Sequence, residues 1–256
     1  MIVFVEPVRT SRTFEAAIEN LLEGIERATL RLDDRLPTEE QLAGQLGISK
    51  PTLRQALRVL ERSGLLRVRA GKGGGIFMNS EVVPVDAITH NVAVEAEDAV
   101  DVLRGRRLLE GAVTVMAAKA ATEEDYAGIE RTIELLARNI GDRPRVMGAN
   151  AMFHRAVIRA CHNKTLQSAM RNIESDLAPI RDSYQGGIEN DRETLEIHQR
   201  QIAAMRSGDK ALASILDEHF RTLEEEFATA LHRRWETLFG EVAEQTLRLG
   251  SPARRS

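Results

Sequence analysis

The stretch from Ile48 to Gly64, Ile-Ser-Lys-Pro-Thr-Leu-Arg-Gln-Ala-Leu-Arg-Val-Leu-Glu-Arg-Ser-Gly, constrains this chain more than any other. It predicts one short helix with a marked start and stop. Ser49 suits the N-cap, Pro51 sits in the first turn where its missing N–H costs little, and Gly64 suits a left-handed residue after the last turn. Leu53, Ala56, Leu57 and Leu60 recur at helical spacing and define an inward face. Lys50, Thr52, Arg54, Gln55 and Arg58 are left on the other side. Arg and Lys suit phosphates and guanine edges, Gln suits adenine, and Thr serves either role, so this face fits a DNA groove. An ordinary amphipathic helix with a solvated charged face explains the same pattern, and the neighbouring sequence has to decide.

The neighbours favour DNA. Thr38 with Gln41 matches a capping box and opens a preceding helix that buries Leu42, Ala43 and Leu46; Gly47 ends it. Two helices joined by a turn of about three residues containing Gly form a helix-turn-helix. Phe14, Ala17, Ile18, Leu21, Leu22 and Ile25 predict an earlier helix near 13–28, after an N-terminal arm over 1–12. Leu65–Arg69 and Gly75–Met78 read as two strands, with Ala70-Gly71-Lys72-Gly73-Gly74 between them as a hairpin tip. Such a tip lets backbone N–H groups approach phosphate, and Lys72 adds charge; a plain flexible turn is the competing explanation. A nucleotide cradle is disfavoured, since no helix follows the glycines to supply its N-terminus.

Charge supports the same region. The whole chain carries a net charge of −4. Residues 46–78 hold Lys50, Arg54, Arg58, Arg62, Arg67, Arg69 and Lys72 against Glu61 alone, a local +6. A basic stretch on an acidic protein marks a polyanion-binding patch. The sequence contains no apolar run long enough to suggest a membrane span. The single cysteine, Cys161, excludes an internal disulfide framework and fits a reducing cytoplasm.

From Phe14 to Met78 the chain resembles the winged helix-turn-helix of the GntR family of bacterial transcription regulators. The resemblance is carried by Leu36-Pro37-Thr38-Glu39, Leu42-Ala43, Leu46-Gly47-Ile48-Ser49-Lys50, Leu53-Arg54-Gln55-Ala56-Leu57, Leu60-Glu61, Gly64-Leu65 and the Gly71–Gly75 wing. It implies that Lys50, Thr52 and Arg54, with Gly71 in the wing, contact operator DNA. There are two departures. Many members have Arg where this chain has Glu40, and Lys50 replaces the commoner Arg, losing the bidentate fork.

Residues 79–97 read as a linker holding Pro84. From Asp98 the pattern is almost entirely helical, with helices expected near 98–120, 123–140, 143–161, 164–184, 190–207 and 210–240. Gly141-Asp142, His162-Asn163, Gly186-Gly187 and Gly208-Asp209 mark four of the breaks. The expected architecture is mainly α: a winged helix-turn-helix over 13–78, an antiparallel all-α bundle over 98–240, and a tail over 241–256.

Four polar residues stand on faces of the bundle that look buried. Asn150 and His154 are i, i+4 on one helix. His198 and His219 each lie about ten residues from the Gly208-Asp209 turn, so an antiparallel hairpin puts them at the same height. Three imidazoles and an amide oxygen could converge there and hold a divalent metal with an open position, zinc first, nickel or manganese as alternatives. Each histidine taken singly is more often hydrogen-bonded or at the surface than a ligand. His90 and His232 lack this spacing; His162, eight residues past His154, could share its side, but a helix cap beside Asn163 fits it better.

Residues 98–240 also resemble the all-helical effector domain called FCD. Here the motifs are Arg106-Arg107-Leu108-Leu109-Glu110, Asn150-Ala151-Met152-Phe153-His154, His162-Asn163, His198 with Gly208-Asp209, and His219. The resemblance implies a metal held by Asp and three His at the positions of Asn150, His154, His198 and His219, and a small carboxylate effector beside it. Asn150 departs from the Asp. Arg106 sits where the family places an Arg facing the effector; an i, i+4 ion pair with Glu110 is the competing role. Together these imply a homodimeric repressor of double-stranded operator DNA, modulated by a small organic acid, working in the cytoplasm. Two alternatives remain from the residues: a metal-dependent enzyme using the three histidines, and a regulator binding a larger ligand such as an acyl thioester.

Overall fold

A computed structural model of the chain describes residues 12–69, 71, 73–82, 96–183 and 188–249. The expected arm over 1–11, Lys72, His90, the linker over 83–95, the Gly186-Gly187 break and residues 250–256 lie outside the described residues. The chain divides into two compact units, Met1–Ile88 and Thr89–Ser256.

The first unit runs α1 (Arg12–Arg27), α2 (Glu39–Leu46), α3 (Lys50–Arg62), β1 (Leu66–Arg69) and β2 (Gly75–Met78). The capping box forms as expected: Thr38 Oγ1 accepts from the Gln41 N–H at 3.3 Å, and Gln41 Oε1 accepts from the Thr38 N–H at 2.9 Å. Gly47 takes φ 65 and closes α2 through its own N–H. Ser49 Oγ accepts from the Thr52 N–H at 3.3 Å and starts α3. Leu53, Ala56, Leu57 and Leu60 are all at most 2% exposed, and α3 packs against α1, α2 and β1. Burying a leucine fully stabilises by roughly 1.5–3 kcal/mol, so the three leucines of this face contribute several kcal/mol to the unit's core.

The wing is an antiparallel pair with Leu66 opposite Met78 and Arg69 opposite Gly75. Arg35 bridges to Phe77 and donates from Nη2 to the Gly74 carbonyl at 2.8 Å. A Cβ at Gly75 would come within 2.8 Å of Arg35 Nε, so glycine there lets the wing lie against Arg35.

The second unit contains α4 (Ala96–Ala120), α5 (Glu123–Arg138), α6 (Arg143–Ala160), α7 (Lys164–Ser183), α8 (Ile188–Ser207), α9 (Leu212–Ala230) and α10 (Trp235–Leu249). At 1.5 Å per residue α4 is about 38 Å long. It packs against α6, α7, α8, α9 and α10, so the bundle is built around it. Two apolar clusters share α4 and α9. One gathers Val113, Ala117, Phe153, Ile202, Leu216 and Phe220. The other gathers Val100, Leu103, Leu177, Leu223, Leu238 and Phe239. Arg106, Arg107 and Glu110 fall on α4 between Leu103 and Val113, and all three are buried.

Three expectations need correction. The single helix over 210–240 is two helices, α9 and α10, separated at 231–234. No glycine or proline marks that break. His232 makes the turn at φ 51, and Arg233 N–H bonds back to the Ala228 carbonyl at 2.9 Å. Residues 241–249, expected as tail, are helical, because α10 turns back to cover the second apolar cluster and buries Phe239 and Ala243. The linker is also shorter at both ends. Ala96 and Glu97 belong to α4. Asn79 is tied to the first unit by donating to the carbonyls of Leu65 and Gly64, at 2.8 and 2.9 Å, and Val82 is buried.

Candidate nucleic-acid interface and metal centre

On α3 the residues expected to face DNA are on the open side. Lys50, Arg54, Gln55 and Arg58 are exposed and Thr52 is half-buried. The Thr52 hydroxyl lies 2.7 Å from Ser49 Oγ, so it is engaged with the cap. Two acidic residues from the first turn of α2 reach across. Arg54 Nε donates to Glu39 Oε2 at 2.8 Å, and Lys50 Nζ donates to Glu40 Oε1 at 3.2 Å. With Nε occupied, the two terminal nitrogens of Arg54 remain as the pair that can straddle a guanine edge. Gly71 stands at the wing tip with φ 91.

In the helical unit the three histidines converge. The ring of His154 (α6) is 5.3 Å from that of His198 (α8) and 5.1 Å from that of His219 (α9), and His198 and His219 are also 5.1 Å apart. One ligand atom from each lies within 4.8 Å of the others. His198 and His219 thus face each other across the hairpin that turns at Gly208-Asp209, as their spacing predicts. His198 is wholly buried, stacked at 3.7 Å on Phe153. Neither of its ring nitrogens has a hydrogen-bond partner among the described residues. Leaving a buried polar group unsatisfied costs about 1–3 kcal/mol, so these two atoms call for an explanation, and an ion on one of them is the candidate to set against the donors present. Burial, with His219 and His154 beside it, pushes the His198 imidazole well below its ordinary value, which is the neutral form that binds metal. The donor set thus fits a divalent ion.

Around the histidines the charges are ordered. His154 Nδ1 is 2.5 Å from Glu110 Oε1, and Arg106 Nε donates to Glu110 Oε2 at 2.8 Å. Arg106 Nη2 lies 3.0 Å from His219 Nε2. Arg106 thus makes the ion pair with Glu110 that its spacing allows, and its other end borders the histidine cluster. Burial would raise the Glu110 carboxyl, but Arg106 and His154 outweigh it and hold it well below the usual carboxylate range. Asn150 lines a cavity of about 80 Å³ together with Arg106, Arg143, Asp191, Thr194, His219 and Thr222. The Asn150 side-chain oxygen is buried with no hydrogen-bond partner among the described residues. His162 is apart from the cluster: exposed, it bonds through Nε2 to Asp125 Oδ2 at 2.8 Å, and Asn163 does the capping.

Comparison with known proteins adds the decisive observation. Residues 13–76 match the family described as "Bacterial regulatory proteins, gntR family", and residues 101–222 match the "FCD domain". A protein of Escherichia coli K12 named "Putative L-lactate dehydrogenase operon regulatory protein" is 30% identical over 203 residues, which is 72% of this chain and 74% of that one.

The chain belongs to the GntR family and carries an FCD domain.

Two other relatives agree. The "Uxu operon transcriptional regulator" of E. coli K12 is 31% identical over 140 residues, 54% of each chain, so this chain spans about half the length of that relative. "Uncharacterized HTH-type transcriptional regulator YcbG" of Bacillus subtilis is 26% identical over 205 residues, 80% of this chain and 85% of that one. This GntR protein is accordingly a DNA-binding transcription regulator, and the rival reading as a metal-dependent enzyme gives way to the family's role. No helix among its described residues is long and apolar enough to cross a membrane.

Sequence reasoning missed two features of this GntR regulator. Glu110 was visible as a partner for Arg106, but its contact with His154 joins residues 44 positions apart and leaves no local signal. Arg107 was quoted within the FCD motif but given no role. It is 0% exposed and clamps α9 through Glu224 and Asp217. The run Arg106-Arg107 between apolar residues was the available hint, since two adjacent helix positions cannot both face solvent on a helix packed on most sides.

Proposed function

We propose that this GntR regulator is a homodimeric repressor whose helical unit holds one divalent metal between His154, His198 and His219, and that a small organic acid bound beside it sets operator affinity. The observation that carries the reading is His198, buried between two other imidazoles with neither nitrogen hydrogen-bonded among the described residues. Asn150 supplies a neutral oxygen as a fourth donor, so the loaded site keeps more positive charge than one with a carboxylate. A bound ion would supply an open coordination position for an anionic ligand. Zinc suits three imidazoles, with nickel or manganese as the alternatives. Arg106, beside His219, is a cation placed to meet the acid's carboxylate.

The cavity supports a small effector. Its volume of about 80 Å³ is that of a few water molecules, at ~30 Å³ each in the liquid. Arg106 and Arg143 offer charge to a carboxylate, and Thr194 and Thr222 offer hydroxyls. The relative named for an L-lactate dehydrogenase operon makes short hydroxy acids the first class to test.

In this reading Lys50, Thr52, Arg54, Gln55 and Arg58 enter the major groove, and Gly71 and Lys72 of the wing lie against the backbone. Two copies related by a two-fold axis read a roughly palindromic operator. Acid and operator binding are then reciprocally linked. The protein acts in the reducing cytoplasm, in keeping with its unbridged Cys161.

Elemental analysis of protein purified without a metal-affinity tag should find about one divalent ion per chain. Finding none, even after soaking in zinc, nickel and manganese, would remove the metal from the reading. Arg54→Ala should weaken operator binding by about 1–3 kcal/mol and relax base preference at its position; unchanged affinity in a titration by fluorescence anisotropy with labelled DNA would count against this docking of α3. Glu110→Gln keeps the shape but weakens the acceptor that orients His154, so metal affinity should fall about 10–100-fold in a competition with a chelating dye.

A further inference from the structure

Glu40 is out of place on a surface meant for a polyanion. It is 82% exposed at the start of α2, beside the N-terminus of α3, where recognition helices meet base edges. A carboxylate there repels phosphate unless it has a partner. Its partner is Lys50, at 3.2 Å. The two form a neutral couplet, so Lys50 adds little to the release of counterions that drives affinity. What the couplet presents instead is an acceptor next to a donor, about one hydrogen-bond length apart.

A C·G base pair presents the complement in the major groove. Cytosine N4 donates, guanine O6 and N7 accept, and N4 and O6 are themselves about 3 Å apart because they are bonded to each other. We propose that Glu40 and Lys50 together read one C·G pair in each half-site, Glu40 accepting from cytosine N4 and Lys50 donating to guanine O6 and N7. At an A·T pair the adenine amino group can still meet a carboxylate, but thymine sets a methyl group beside its lone acceptor, against the Lys50 ammonium. A G·C pair in the reverse orientation puts guanine acceptors against the Glu40 carboxylate. The couplet therefore fixes both identity and orientation of the pair. The neighbouring Glu39–Arg54 contact has a different character, since Glu39 is less exposed, at 32%, and holds Arg54 by Nε alone.

This assignment rests on the docking of α3 proposed above, and the test separates the two. Full-length protein and the variants Glu40→Ala, Glu40→Gln and Arg54→Ala are each used to select from a library of random-sequence DNA duplexes. The native protein should enrich a site containing one C·G pair per half that Glu40→Ala no longer enriches, the other positions being unchanged. In titrations against the selected duplex, changing that pair to T·A should weaken the native protein about 5-fold to 150-fold, and Glu40→Ala less than twofold. The assignment is overturned if both proteins enrich the same site, with Glu40→Ala tighter on every sequence and its log K against log salt steeper by about 0.9, since Glu40 then only repels DNA. It is overturned equally if the native protein enriches no sequence. If Arg54→Ala selects and binds as the native protein does, the docking itself is wrong. If Arg54→Ala loses binding while Glu40→Ala keeps the native preference, only the couplet's role is wrong.

Discussion

Replacing Arg107 by Ala should destabilise the helical unit by about 3–5 kcal/mol, the range for breaking a buried ion pair by removing one partner. Arg107 Nε and Nη2 donate to the two oxygens of Glu224 at 2.8 and 2.7 Å, and Nη1 donates to Asp217 at 2.5 Å. Burial opposes its charge, yet Glu224 and Asp217 outweigh that and raise its pKa. Glu224 is 2% exposed, so truncating Arg107 strands a carboxylate in the core, where the Trp235 indole N–H, at 3.0 Å, is the one donor left to it among the described residues. The guanidinium also lies over the rings of Phe220 and Trp235 at 5.4 and 5.6 Å, and truncation uncovers both ring faces. The double variant Arg107→Met, Glu224→Met should cost less than Arg107→Ala, because it removes the stranded charge with its partner. Urea unfolding followed by far-ultraviolet circular dichroism would measure both. A loss below about 1 kcal/mol for Arg107→Ala would mean that water reaches Glu224 and the network is not the joint described here.

If the proposed metal sits on the three histidines, His198→Ala should abolish the stabilisation that the metal would confer. A ligand binding only the folded state adds RT ln(1 + [L]/Kd), about 4 kcal/mol at a thousandfold excess over Kd. The native protein should therefore melt several degrees higher with added zinc than after chelation, and the variant should melt at one temperature in both. Without metal the variant loses the stack on Phe153 but also two buried nitrogens that had no hydrogen bond, so its own stability should change less than that of most large-to-small core substitutions. Equal zinc shifts in the two proteins would locate the ion elsewhere.

The pattern of legibility follows the range of the interactions. The helix-turn-helix was readable because its signals are local: Thr38 caps with Gln41 three residues on, Gly47 stops α2, and Ser49 starts α3. The histidine cluster was readable because helical periodicity and one turn, Gly208-Asp209, fix relative heights along a hairpin. The break between α9 and α10 was not, since His232 makes the left-handed turn without glycine and only the apolar surface awaiting cover explains why the chain doubles back. The contact of Glu110 with His154 and those of Arg107 were unreadable for the same reason as each other: the partners His154, Asp217 and Glu224 lie 44 to 117 positions away. The ion pairs of Glu39 and Glu40 join neighbouring helices, but surface side chains this exposed have no periodic signature.

Trp235 is the chain's single tryptophan. Its indole donates to Glu224, lies 3.7 Å beneath the Arg221 guanidinium, and opens α10. All of the protein's indole emission thus originates at one point, where α9 delivers Asp217, His219, Arg221 and Glu224 within eight residues. A cation on the ring and a carboxylate on the nitrogen both shift and quench that emission, so the protein carries an intrinsic optical probe of α9. A displacement of α9 against α10 would carry Arg221 and Glu224 relative to the indole, so a change in Trp235 emission is the signal such a displacement would give.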